Sequence, residues 1–135
     1  MDLSEQYIEM CRKATEIQGL WKPSVGDFTK DVKPVNVYIL GYDDLNNIAG
    51  LIWLPRQDQL QEIWLKYNER KQFNETDFDI LMQKYFLLTE YAEDSEYLRA
   101  GWVDSLEKLW LLIVMKEKFN KLWDGSDWTT RPSEP

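Results

Sequence analysis

Seven consecutive apolar residues, Leu109-Trp110-Leu111-Leu112-Ile113-Val114-Met115, constrain this chain more than any other stretch. A helix that is apolar all round is buried on most sides, so in a small domain it takes the central place and the other elements are laid against it. The chain has 135 residues, close to the usual size of one domain, with 44% hydrophobic and 30% charged. That balance supplies enough apolar surface to offset the entropy of ordering without a structural metal. No apolar run approaches the ~20 residues needed to cross a bilayer, so no membrane association is expected.

Around that centre the hydrophobic period changes along the chain. Asp2, with Glu5 three positions later, reads as a helix-opening capping pair. Leu3, Tyr7, Met10, Ala14 and Ile17 then recur at helical spacing, and Gly19 ends the helix. Residues 35–40 and 50–54 are short, apolar and bounded by Gly, Pro, Asn or Asp, as strands are, and residues 27–32 can supply a third. The polar stretch Tyr42-Asp43-Asp44-Leu45-Asn46-Asn47 between them favours an antiparallel meander, since a parallel pair needs a helical crossover.

Pro55 ends the last strand and can open a helix, because its missing amide proton would have no partner there. Leu60, Ile63, Trp64 and Tyr67 then share one face. Thr76 is a cap for a further amphipathic helix carrying Phe78, Leu81, Tyr85, Leu88 and Ala92. After an acidic break at residues 93–101, a last helix is expected over residues 104–123, stopped near Gly125. These elements predict an α+β fold: one domain over residues 1–128, in which a small antiparallel β-sheet of two or three strands packs with about four α-helices. Residues 129–135 hold two prolines and no apolar anchor, and are expected to form a flexible C-terminal tail.

Charge and composition exclude several functions. Sixteen Lys and Arg against 24 Asp and Glu leave a net charge of -8, which repels phosphate backbones, so direct nucleic-acid binding is not expected. The chain contains no histidine, which removes Ser-His-Asp and Cys-His catalysis and the commonest transition-metal ligand together. Cys11 stands alone, so an internal disulfide is impossible; its helical position suits a small buried hydrophobe better than a nucleophile. A lone thiol and the lack of a signal-peptide pattern point to the cytoplasm. No catalytic, cofactor-binding or metal-binding residue is assigned. Asp124-Gly125-Ser126-Asp127 lacks the ligand spacing of a calcium loop and reads as a helix-ending turn.

Three groups of residues remain as candidates for binding. Arg56, Gln57 and Asp58 open a helix, where free amides and a guanidinium can hold a carboxylate or phosphate, although Asp58 can complement that helix end itself. Glu90, Glu93, Asp94 and Glu96 crowd four acids into seven residues, a charge run that can imitate a phosphate track or simply solvate a helix end. Trp21, Trp123 and Trp128 flank turns or the tail, where an exposed indole would anchor a protein partner and a buried one would seal the core.

Three stretches carry a family resemblance: Trp21-Lys22-Pro23 with Gly26-Asp27-Phe28; Trp53-Leu54-Pro55-Arg56-Gln57-Asp58-Gln59-Leu60-Gln61; and Met115-Lys116-Glu117-Lys118-Phe119 running to Leu122-Trp123-Asp124-Gly125. With these the chain resembles a group of small proteins of unknown function encoded in bacteriophages and prophages. The resemblance implies a setting, the cytoplasm of a bacterial host, and no chemistry. The leading expectation is a non-enzymatic protein-interaction module with a protein partner of unknown identity, self-association being allowed. An acidic inhibitor or DNA mimic of a nucleic-acid enzyme, and a small-molecule or anion-binding protein, are the alternatives.

Overall fold

The computed structural model describes residues 1–31, 37–69 and 104–130. They hold four helices, α1 (Glu5–Lys13), α2 (Thr15–Gln18), α3 (Gln57–Glu69) and α4 (Leu106–Phe119). The strands are β1 (Phe28–Asp31), β2 (Val37–Ile39), β3 (Leu51–Leu54), β4 (Lys121–Trp123) and β5 (Trp128–Thr130). The chain is therefore α+β, with one antiparallel sheet of three strands and a separate two-stranded hairpin. The helix expected from Thr76 and the acidic break after it lie outside the described residues.

The expected first helix is two helices. Ser4, not Asp2, caps α1, its Oγ accepting the Tyr7 N–H at 3.2 Å. Asp2 is drawn away to accept the Ser105 hydroxyl on α4 at 2.5 Å, so a long-range partner displaces the local capping pair. Ala14 interrupts the helix at φ -83°, ψ 71°, and α2 carries the chain on to a C-cap at Gly19.

α4 is the central helix that its apolar run requires. Trp110, Leu111, Ile113, Val114 and Met115 are all buried, joined in one core by Tyr7, Met10 and Ile17, by Trp53 and Leu54 of β3, and by Leu60 and Trp64 of α3. The Tyr7 hydroxyl donates to the Pro55 carbonyl at 2.6 Å, tying α1 to the entrance of α3 inside the core.

α4 ends earlier than its pattern suggests. Asn120 adopts the left-handed conformation at φ 56°, which Asn tolerates, and turns the chain out of the helix. The next residues form the β4–β5 hairpin, with Trp123 opposite Trp128 and Lys121 opposite Thr130. Asp124-Gly125-Ser126-Asp127 is therefore a hairpin turn rather than a helix stop. Asp124 Oδ1 accepts the Ser126 and Asp127 N–H groups, each at 2.8 Å, and Gly125 supplies φ 104°. Those backbone donors hold the Asp124 carboxyl below its ordinary range. Thr129 and Thr130 belong to β5, so strand pairing takes the first two residues assigned to the tail.

The sheet order is β2-β1-β3, with β1 between the other two, and so differs from the expected meander. Leu54 and Trp53 of β3 are buried, whereas all three residues of β2 are exposed. Returning β3 to the far side of β1 puts the apolar strand against α1 and leaves β2 outside. The entry to β1 is pinned to the end of β2. Asp27 N–H bonds the Ser24 carbonyl at 3.1 Å, Gly26 N–H bonds the Leu40 carbonyl at 2.8 Å, and Leu40 N–H bonds the Asp27 carbonyl at 2.9 Å. Gly26 and Asp27 thus stand together opposite Leu40 as a glycine bulge, with Gly26 at φ 94°.

That backbone conformation yields a paired prediction. Gly26→Ala should destabilise the fold by about 1–2 kcal/mol, because an L side chain at that φ meets the carbonyl oxygen. Gly19→Ala, at φ -69° and with 3.5 Å to its nearest contact, should be neutral or stabilising by about 0.5 kcal/mol. Urea unfolding of the two variants checks both signs.

Candidate functional site

The stretch from Trp21 to Phe28 and the stretch from Trp53 to Gln61 meet at one buried carboxylate. Asp27 is 1% exposed, and both of its oxygens are occupied. Oδ2 accepts the Trp21 indole N–H and the Ser24 N–H, each at 2.9 Å. Oδ1 accepts the Gln59 amide at 2.7 Å, with Arg56 Nη1 at 3.5 Å. Gln59 Oε1 in turn accepts the Arg56 N–H at 2.9 Å, which satisfies one of the open donors at the start of α3. The Trp21 ring stacks on Trp53, centroids 6.2 Å apart and planes 9° from parallel. Desolvating a carboxylate costs several kcal/mol unless its lone pairs are filled, and here three neutral donors and the Arg56 cation fill them.

This junction absorbs the residues considered for anion binding. Arg56 Nη1 donates to the Gly26 carbonyl at 3.1 Å and Nε to Asp58 Oδ1 at 3.2 Å. Arg56 and Asp58 are brought together as each other's partners, and Gln57 is half-buried on the first turn of α3. The guanidinium ties the β1 entrance to α3.

Two of the three aromatic candidates, Trp123 and Trp128, are buried. Trp123 is 3% exposed and Trp128 is 7%, their centroids lie 5.1 Å apart, and the Trp128 indole donates to the Met10 carbonyl at 2.9 Å. Hairpin pairing turns both rings into the core, an arrangement hidden when residues 120–123 are read as helix. Trp21 is half-buried against Trp53. Glu90, Glu93, Asp94 and Glu96 lie outside the described residues. Cys11 is fully buried, and burial pushes its thiol far above the ordinary range, the reverse of what a nucleophile needs.

A second polar cluster clasps the N-terminus to α4. Lys108 is buried, donating to Gln6 Oε1 at 3.0 Å and Asp104 Oδ1 at 2.5 Å, with Asp2 Oδ2 at 3.7 Å. The Asp2 N–H donates to Glu107 Oε1 at 2.9 Å. Burial alone would raise the Asp2 carboxyl, but hydrogen bonds from Ser105 and Ser4 and the Lys108 ammonium outweigh it and leave the group below 3.8. A shallow depression of about 310 Å³ opens between Met1, Asp2, Asp104, Ser105 and Glu107. Its polar groups bond one another across the clasp. Among the described residues no group of His, Cys, Asp and Glu is arranged to hold a metal ion.

The two edges of the three-stranded sheet are treated differently. On the β3 edge, the Gln18 amide takes the place of a strand: its Oε1 accepts the Trp53 N–H at 2.8 Å, and its Nε2 donates to the Trp53 carbonyl at 2.9 Å. Trp53 therefore turns its backbone groups away from Thr29, its register partner on β1. Thr29 then directs its own towards Tyr38 of β2, because both backbone groups of a strand residue point to one side. Val37 and Ile39, one residue to either side of Tyr38, direct their N–H and C=O groups to the open edge of β2. The side chains there are apolar and exposed, Ile39 at 61% and Tyr42 just beyond at 82%, with Val37 and Tyr38 exposed as well. In sequence, residues 35–40 read as an apolar strand, and their own pattern does not specify which edge of a sheet they form. The signal was Asp43-Asp44 close behind Val37-Tyr38-Ile39, acids where a buried strand would continue apolar.

Two predictions come from the polar clusters. Asp27→Asn puts an amide donor among existing donors and should cost about 2–4 kcal/mol in urea unfolding, while Asp58→Asn, on an exposed side chain, should change stability by less than about 0.5 kcal/mol. The Asp2 carboxyl is depressed in the folded state, so its contribution is complete above pH 3.8 and is lost as the pH falls through the folded-state value. Asp2→Asn should therefore be less stable than the native chain at neutral pH, with the difference narrowing below pH 3.8 in unfolding titrations at stepped pH.

Comparison of the chain with protein-family models, with curated proteins and with solved structures finds no match.

Proposed function

We propose that the chain is a non-enzymatic protein-interaction module and that its contact surface is the open edge of β2, with Val37, Tyr38, Ile39 and Tyr42. The observation that carries this reading is the contrast between the two sheet edges. One is closed by Gln18, as folded proteins close edges that must not pair, while the other presents exposed apolar side chains and backbone groups that no described residue pairs. Exposed aromatic and β-branched side chains grouped on one strand are the composition of an interface centre. The absence of histidine and the deeply buried Cys11 thiol argue in the same direction, since neither a general base at neutral pH nor an accessible nucleophile of those types is available. An accessory role for a phage or prophage product in the cytoplasm of a bacterial host, contacting a host or phage protein, is the setting that the resemblance of Trp53-Leu54-Pro55-Arg56-Gln57-Asp58-Gln59 supports.

The test compares the native chain with an Ile39→Ser/Tyr42→Ser variant whose circular dichroism and urea midpoint match the native ones. A protein captured from bacterial host extract by the native chain is purified, and its direct affinity for both forms is measured by calorimetry. A loss of about ten-fold or more in the variant is expected, corresponding to about 1.4 kcal/mol. Equal affinity for the two forms overturns the assignment of the surface, and substrate turnover by the purified chain alone overturns the non-enzymatic reading.

A further inference from the structure

The interaction-module reading leaves the partner's chemistry open, and the backbone geometry of β2 narrows it. We propose that the open edge of β2 takes up an extended segment of the partner, flanked by lysine or arginine, as an added strand of the sheet. This rests on the assignment of β2 as the contact surface. Val37 and Ile39 offer two amides and two carbonyls, two residues apart and on the same side, which is the repeat that an incoming strand pairs with. Strand addition takes its affinity from those main-chain bonds and its selectivity from alternate side chains. Tyr38 is excluded from this role because it faces Thr29, whose hydroxyl also donates to the Tyr38 carbonyl at 3.1 Å.

Charge selects the partner. Asp43 and Asp44, both exposed, follow β2 in the short 3-10 turn Tyr42–Asp44, and the chain as a whole carries -8. A second copy of the chain would bring the same acids and the same net charge to the edge. A basic extended segment avoids that repulsion: its backbone completes the ladder and its cations lie near Asp43 and Asp44.

The edge can be tested without breaking the sheet. Ile39→Pro removes one outward amide and leaves the Tyr38 and Leu40 bonds to β1 in place, a substitution that edge strands accept. The probe is a fluorescein-labelled peptide, Lys-Thr-Val-Thr-Val-Thr-Lys, compared with an otherwise identical peptide carrying Glu at both ends. The lysine peptide should bind the native chain at least about ten-fold more tightly than it binds Ile39→Pro, and more tightly than the glutamate peptide binds the native chain. In the complex, amide exchange at Val37 and Ile39 should slow while that at Tyr38 changes little.

Failure of the lysine peptide to bind, equal binding by Ile39→Pro, or equal binding of the glutamate peptide overturns strand addition by a basic segment. A concentration-dependent dimer of the chain in sedimentation, lost in Ile39→Pro, overturns it in favour of a second copy. If the captured partner is lost with Ile39→Ser/Tyr42→Ser but kept by Ile39→Pro, strand addition falls while the interaction surface stands. If both variants keep it, both readings fall together.

Discussion

The fold depends on a buried carboxylate whose lone pairs are all taken. Asp27 sits where the chain leaves a turn, enters β1 through a glycine bulge and meets the first residues of α3. An ionised group in that position is tolerable because Trp21, Ser24, Gln59 and Arg56 surround it. Those bonds set where α3 begins relative to the sheet, and α3 then places Leu60 and Trp64 against α4. The stretches Trp21–Phe28 and Trp53–Gln61 are thus the two sides of one structural joint.

The unusual tryptophan content serves the same end. The six tryptophans among the described residues form three ring pairs: Trp21 with Trp53, Trp64 with Trp110, and Trp123 with Trp128. Each pair joins two different elements or closes a turn. A small chain with one central helix has limited depth of core, and wide flat rings cover more of α4 per residue than aliphatic side chains can. Trp53 and Trp123 keep their indole N–H groups buried without a hydrogen-bond partner among the described residues, so packing alone holds those rings.

The N-terminal clasp and the sheet edges show how the remaining polar groups divide. Asp2, Ser105, Lys108 and Gln6 bond one another and anchor the chain start to α4. Gln18 lies one turn past the break at Ala14, which directs its amide at Trp53 as a substitute strand. β2 has no such cover among the described residues, and its side chains are apolar where solvated strands are usually charged. Of the two edges of the three-stranded sheet, only that of β2 is therefore both apolar and uncovered among the described residues.

The sequence by itself determined the class of fold, the central place of residues 109–115, the strand at residues 51–54 and the presence of a helix after Pro55, which begins at Gln57 rather than at the proline itself. Each of these follows from local period and from proline or glycine geometry, which act within a few residues. Lone Cys11 and the missing imidazole were equally legible, because composition needs no coordinates. Only tertiary structure decided the partners of Asp2, Gln18, Asp27 and Arg56, since a side chain with a free carboxylate, amide or guanidinium accepts whichever donor or acceptor the fold delivers. It also decided that Asn120 turns α4 into a hairpin and that Trp123 and Trp128 face inward: a helix end and a strand start share the same apolar residues, and long-range packing chooses between them. The order β2-β1-β3, and with it the open edge, belongs to the same category, because which strand lies outermost depends on where the buried faces of the other elements are satisfied.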